Sequence, residues 1–135
     1  MALIQWQEGL SVGITSIDDQ HKKLINMINS LNDSIKQGNG KSVTGQVLED
    51  LVVYTTEHFA YEEELFAKYG YAGTEEHVKK HHALLNTVGE LKSKYDVGDV
   101  EISDETMAFL KSWLTKHIMG TDQTYSEFLI ANGVK

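Results

Sequence analysis

The sequence predicts an all-α fold, an antiparallel up-down-up-down four-helix bundle with an N-terminal arm docked on it. Apolar residues recur at steps of three and four over four long stretches, which is the spacing of one face of an α-helix. The breaks between these stretches are short and marked by Gly and Asn, and the chain contains no proline. Short connections favour antiparallel neighbours, so a four-helix bundle is the economical arrangement.

The helix boundaries are predicted from capping and helix-breaking residues at the ends of each apolar stripe. Gly70 is expected to stop the second helix in a left-handed cap, and Thr74 is expected to be the N-cap of the third. Ser103 or Asp104 is expected to open the fourth helix. One domain over 1–135 results, with an arm over about 1–16 and helices over about 18–37, 43–69, 74–95 and 103–130.

Composition excludes several classes of function. The net charge is −8, with 20 acidic and 12 basic residues, so a nucleic acid would be repelled. No apolar run reaches the length of a membrane span, and the first residues lack the layout of a signal peptide. We therefore expect a cytoplasmic protein, without a membrane span, that is a monomer. The absence of cysteine leaves imidazole, carboxylate and hydroxyl groups to carry any chemistry.

The stretch TTEHFAYEEELF places polar groups on the apolar face of the second helix. His58 and Glu62 share that face with Leu51, Thr55 and Leu65 at steps of three and four. Carboxylates are almost never fully buried unless they are paired or bound to a metal, and no basic residue lies on this stripe. A cation is therefore expected inside the bundle.

Other helices add imidazoles and one more acid. His77 and His81 are four residues apart, as His58 and Glu62 are, which places both members of each pair over one point of a helix. His117 and Asp122 are five apart, about 140° around an ideal helix, so they converge only if the helix is irregular near Gly120. With His21 on the first helix, these stripes supply five imidazoles and two carboxylates, which exceeds one six-coordinate ion and predicts two metals.

The types of ligand narrow the identity of the metal but do not select one element. Mixed imidazole and carboxylate without sulfur suits iron, zinc, copper or nickel better than calcium or magnesium. If both carboxylates and one solvent-derived group bridge two octahedral ions, six places remain for nitrogen. Only five imidazoles fill them, so one place stays open for a small molecule.

The chain resembles the hemerythrins in their single-domain bacterial form. The resemblance covers nearly the whole sequence and is carried by VGITSIDDQHKKL, HFAYEEELF, HVKKHHALL and WLTKHIMGTDQTYSEFL. It implies two iron ions (Fe2+/Fe3+) with an oxo or hydroxo bridge, and reversible binding of dioxygen. It implies that His77, His81 and His117 hold one iron, His21 and His58 hold the other, and Glu62 and Asp122 bridge them.

The same resemblance assigns an oxygen pocket to Phe59, Trp113, Leu114 and Ile118, and it places Tyr125 near the centre. Gln20 is predicted to lie beside a ligand, whereas Asp18 is explained equally well as a helix-terminal cap. Glu63 and Glu64 are assigned to solvent or to the flank of the site, and His82 to the surface or to the flank of the site.

The function expected is oxygen storage or transport to an oxygen-consuming enzyme, without catalysis. Three alternatives remain open: oxygen or redox sensing, di-iron oxidase or peroxidase activity, and, less favoured, iron storage. The two ExxH motifs of ferritin-like oxidases are missing from the sequence, which weighs against the oxidase.

Overall fold

A computed structural model of the chain describes residues 3–38, 41–98 and 104–135, and over these ranges it contains helices and no strand. The helices are α1 (Thr15–Lys36), α2 (Lys41–Tyr69), α3 (Thr74–Asp96), α4 (Asp104–Lys116) and α5 (Gln123–Ala131), with a 3-10 turn at Glu8–Leu10 and a π-helix at His117–Thr121. Helix α1 packs against α2 and α4, and α2 packs against α3. The predicted all-α bundle is confirmed, with α4, the π-helix and α5 together forming its fourth rod.

The arm is fixed to the bundle by polar contacts as well as apolar ones. The backbone N–H of Ile4 donates to Asn29 Oδ1 (2.9 Å), and Asn29 Nδ2 donates back to the Ile4 carbonyl (2.8 Å). Further along, Leu10 and Val12 are buried. The Lys22 ammonium lies 4.9 Å from the centre of the Trp6 ring, within the range of a cation–π contact. The predicted docking of the arm is confirmed.

Helix α1 begins at Thr15, three residues before the expected start, and Asp18 in its first turn accepts hydrogen bonds from the arm. Ser11 Oγ donates to Asp18 Oδ2 (2.6 Å) and the Val12 N–H donates to Asp18 Oδ1 (2.9 Å). Asp18 lies within the first turn of α1, and its carboxylate satisfies the Val12 N–H, a backbone donor outside the helix. The expected arm over 1–16 is correspondingly too long.

The end of α2 and the starts of α3 and α4 lie at or next to the predicted residues. Gly70 has φ 70° and follows the last residue of α2, as predicted for a left-handed cap. Thr74 is the first residue of α3 and not its N-cap, because its hydroxyl donates to the Tyr71 carbonyl at 2.6 Å. Asp104 opens α4, and Ser103 lies outside the described residues.

Two apolar clusters fill the bundle, and a polar layer lies between them. Phe59 belongs to the larger cluster and stacks on His81, whereas Phe66 belongs to the smaller cluster and meets His77 edge-on. Rings from both clusters therefore enclose the same group of imidazoles. Within the described ranges, none of the helices combines the length and the apolar character needed to cross a bilayer.

Candidate metal centre

All seven side chains predicted as metal ligands are buried, and none is more than 5% exposed. They are His21 on α1, His58 and Glu62 on α2, His77 and His81 on α3, His117 on the π-helix, and Asp122 immediately after it. The helical spacing of four explains the α2 and α3 pairs, since residues four apart lie on one face. The exposed sixth histidine, His82, lies away from this layer on the surface, where it was predicted.

The π-helix brings His117 and Asp122 together. The Asp122 N–H donates to the His117 carbonyl at 2.8 Å, a bond between residues five apart. This widened turn brings residues five apart back toward one side, whereas an α-helix would separate them by about 140°. His117 Nε2 lies 3.0 Å from Asp122 Oδ1 as a result. The irregularity near Gly120 on which this convergence depends is present, and it interrupts the helix expected over about 103–130.

Glu62 lies between two groups of imidazoles. Its Oε1 is 3.0 Å from His81 Nε2 and 3.7 Å from His77 Nε2. It also lies 3.6 Å from His58 Nε2, and Oε2 lies 4.0 Å from His21 Nε2. Nitrogen and oxygen atoms suited to one ion therefore form two groups, Glu62 with His77, His81 and His117, and Glu62 with His21 and His58. A single carboxylate is common to both.

Asp122 joins the same two groups from the opposite helix. Its Oδ2 lies 3.0 Å from His21 Nε2, and its Oδ1 lies 3.1 Å from His77 Nε2. With the 3.0 Å separation from His117, each oxygen of this carboxylate faces a different imidazole group. The geometry is that of a second group able to bridge two ions.

Most of the buried nitrogen and oxygen atoms that face the middle of this layer have no hydrogen-bond partner among the described residues. They include Nε2 of His21, His77, His81 and His117, Oε1 of Glu62, and both oxygens of Asp122. The separations near 3.0 Å are as short as hydrogen bonds, but the groups are not oriented as hydrogen bonds. Two atoms each about 2.1 Å from one ion and at right angles would lie about 3.0 Å apart. The residues present therefore fit metal ions placed between them.

Two imidazoles are oriented by partners on their outer nitrogen. His58 Nδ1 and Gln20 Oε1 are 2.6 Å apart, and His81 Nδ1 and Glu63 Oε2 are 3.0 Å apart. A proton on Nδ1 that is donated outward leaves the Nε2 lone pair facing the centre. Gln20 lies where it was predicted. Of the two positions allowed by the sequence, solvent or the flank of the site, Glu63 lies at the flank of the site, whereas Glu64 is exposed.

Tyr125 contacts the shared carboxylate directly. Its hydroxyl donates to Glu62 Oε2, and the ring is fully buried against Phe66. Burial, followed by the charges of Glu62 and Asp122, raises the pKa of Tyr125 well above its ordinary value. The phenol therefore stays protonated and remains a hydrogen-bond donor to Glu62.

The electrostatics of these side chains reflect two carboxylates in an apolar interior. Burial is the largest influence on Glu62 and raises its pKa, as Asp122 does, but the surrounding imidazoles outweigh both and lower it to about 2. Burial lowers the pKa of His58 to about 4. His77 behaves oppositely: burial lowers its pKa, but contacts with Asp122 and Glu62 prevail and raise it to about 9. A proton on His77 therefore offsets part of the negative charge of the two carboxylates.

An apolar wall lies beside the imidazoles of α3 and the π-helix. Phe59 stacks on His81 with ring centres 3.8 Å apart and an angle of 3° between planes. Trp113 stacks on His117 at 4.8 Å and 16°. Leu114 and Ile118 are buried within the larger apolar cluster that includes Phe59. The four residues predicted to line an oxygen pocket therefore lie together or against the imidazoles, and their role toward oxygen stays a prediction.

Fold and site together define a class: a helical bundle with a buried imidazole and carboxylate centre built to hold metal ions. Residues 12–129 match the family described as hemerythrin HHE cation binding domain. The chain therefore belongs to the hemerythrin family.

Similar proteins cover most of the chain. A bacteriohemerythrin of Stenotrophomonas maltophilia is 38% identical over 127 residues, covering 94% of this chain and 82% of that protein. A bacteriohemerythrin of Methylococcus capsulatus is 36% identical over 134 residues, covering 97% and 100% of the two chains. The crystal structure of a wild-type hemerythrin superposes with a TM-score of 0.90 at 33% identity, over 95% of this chain and 98% of the other.

Proposed function

We propose that this chain binds dioxygen reversibly at a non-haem di-iron centre, and that it stores oxygen or carries it to an oxygen-consuming enzyme. The observation that carries the proposal is the buried set of five imidazoles and two carboxylates, in which Nε2 of four imidazoles, Glu62 Oε1 and both Asp122 oxygens lack partners among the described residues. Membership of the hemerythrin family supports iron as the metal. The expected cytoplasmic location and monomeric state stay predictions.

In this proposal the seven residues divide between two ions. His77, His81 and His117 hold one iron, and His21 and His58 hold the other. The two carboxylates, Glu62 and Asp122, would be shared by both irons, together with an oxo or hydroxo bridge. The division is supported by the two groups of donor atoms that share Glu62. When bound, the irons supply the redox chemistry through which dioxygen binds and leaves.

The chain's own residues keep this chemistry reversible. Phe59, Leu114 and Ile118 are buried and exclude water and anions from one side of the centre, which limits irreversible oxidation. Tyr125 keeps its hydroxyl proton and donates a hydrogen bond to Glu62 Oε2, which fixes that carboxylate in place. Gln20 and Glu63 fix the orientation of His58 and His81.

The test is a cycle of oxygen addition and removal on the anaerobic ferrous protein, with metal analysis beforehand. We expect two irons per chain and a visible charge-transfer absorption that appears with oxygen and fades when oxygen is removed. Prompt decay with product formation would instead indicate an oxidase or peroxidase. Many more than two irons per chain would indicate iron storage.

A further inference from the structure

A cavity of about 490 Å³ opens between the arm, the C-terminal half of α1 and the outer face of α4. None of the seven residues of the metal centre lines it. Leu3 from the arm and Met107 from α4 supply apolar surface, and the Asn32 side chain from α1 joins them. Its volume lies within the range of about 300–1,000 Å³ that is usual for small-molecule sites.

Asn32 is the first sign that the cavity is a binding site. Its side chain is only 2% exposed, and its amide nitrogen has no hydrogen-bond partner in the part of the chain that the structure describes. Buried amide donors are almost always paired, since desolvation without a partner costs free energy. Asn32 also lines the cavity, so an acceptor bound there would lie beside an amide donor that no group of the described chain pairs.

Three lysines at the same cavity are the second sign. Lys36, Lys111 and Lys116 are exposed, and none of them pairs with a carboxylate over the described ranges. The whole chain has only 12 basic residues and a net charge of −8, so three lysines at one opening stand against the general field. At physiological salt, charges beyond about 8 Å are largely screened, so the lysines that line the cavity count for more there than the net charge of the whole chain. An anion is the ligand that such an opening attracts.

We propose that this cavity binds a small organic anion with an apolar body, such as a medium-chain carboxylate. The head group meets the lysines and accepts a hydrogen bond from Asn32, while the hydrocarbon lies against Leu3 and Met107. Inorganic phosphate would leave the apolar surface unused, and an uncharged alcohol would leave the lysines unpaired. The proposal goes beyond oxygen binding and does not depend on it.

Titration calorimetry on the full-length, iron-loaded protein tests the proposal with three probes: octanoate, 1-octanol and inorganic phosphate. We expect octanoate to bind at least about tenfold more tightly than either of the other two, because only octanoate uses both parts of the site. The octanoate affinity should fall as sodium chloride is raised. Equal affinity for phosphate or for octanol would overturn the proposal, as would the absence of octanoate binding.

Matched lysine variants locate the site. Lys36 and Lys94 are both exposed and both lie in the last turn of a helix, but only Lys36 lines the cavity. Lys36→Glu should weaken octanoate binding by about tenfold or more, whereas Lys94→Glu should change it by less than about twofold. Lys111→Glu should act as Lys36→Glu does. Equal effects of Lys36→Glu and Lys94→Glu would show general charge repulsion and overturn the assignment.

The carboxylate of octanoate could also reach an iron, so the visible spectrum of the ferric protein is recorded in the same titration. We expect this spectrum to stay unchanged while heat is released. A spectral change at the same octanoate concentration, together with full binding by Lys36→Glu, would place the ligand at the metal centre and overturn the proposal. Asn32→Leu then tests the amide: weaker octanoate binding with unchanged spectrum is expected, and unchanged binding would remove Asn32 from the site.

Discussion

Changing Glu62 to Gln should remove metal from both halves of the centre, because this carboxylate lies between two groups of imidazoles. Its Oε1 is 3.0 Å from His81 on one side and 3.6 Å from His58 on the other. Each ion would therefore lose one charged oxygen ligand. The amide preserves the shape of the side chain, so the loss would not come from a cavity in the core.

The size of the effect follows from the number of ions that the residue serves. Loss of a supporting partner alone weakens metal binding by about 10–100-fold, so loss of a direct ligand should reach about 100-fold for each ion. That factor is worth about 2.7 kcal/mol for each ion, or about 5 kcal/mol of metal-linked stability for two. For a domain of this size the thermal midpoint of the metal-loaded protein should fall by about 15–20 °C.

Iron content by elemental analysis and thermal unfolding with and without metal form the assay. His58→Gln touches one group of donor atoms and should lose about half as much metal-linked stability as Glu62→Gln. Glu64→Gln makes the same chemical change at an exposed position two residues along and should change neither quantity. Two irons per chain with an unchanged metal-linked midpoint in Glu62→Gln would refute the bridging role.

Three further outcomes are expected. Glu63→Gln should lower iron affinity by about 10–100-fold, since His81 Nδ1 loses its charged partner; equilibrium dialysis against a chelator measures this, and wild-type affinity would contradict it. Leu114→Ala should cost about 2–5 kcal/mol of stability through a cavity and should speed oxidation of the ferrous protein, and an unchanged oxidation rate would remove Leu114 from the wall. Metal binding at pH 7 should release about one proton from His77, whose pKa the two carboxylates raise to about 9 against burial, and the release should vanish as the pH rises through 9. Calorimetry in buffers of different ionisation enthalpy counts that proton, and zero release at pH 7 would contradict the assignment.

Spacing within a helix was the part of the site that the sequence could predict best. His58 with Glu62, and His77 with His81, had to share a face once their segments were helical, because residues four apart always do. Burial of a carboxylate among apolar residues then required a cation. Contacts between helices are harder to predict from the sequence. Glu63 and Glu64 are the same residue type side by side, so only the packing of α2 against α3 decides which one meets His81.

The arm shows where sequence reasoning stopped short, because its apolar residues suggested docking but not a role near the metal centre. The sequence allows two roles for Asp18, a helix-terminal cap or a group beside the metal ligands. Asp18 binds Ser11 Oγ and the Val12 N–H and so fixes the bend of the arm. Such a contact joins two segments through one side chain, and neither periodicity nor spacing predicts it.

The bend of the arm in turn supports the π-helix that positions Asp122. A turn closed by bonds between residues five apart displaces the hydrogen-bond pattern and leaves a carbonyl in need of another donor. Gln123 Nε2 donates to the Ser11 carbonyl at 3.0 Å and lies 3.4 Å from the Ile118 carbonyl inside the π-helix. One side chain thus joins the arm to the irregular turn. Asp122, proposed as the second bridging carboxylate, is therefore linked through its neighbour Gln123 to a residue more than 100 positions away in the chain, and the arm contributes to the support of the candidate metal centre as well as to its covering.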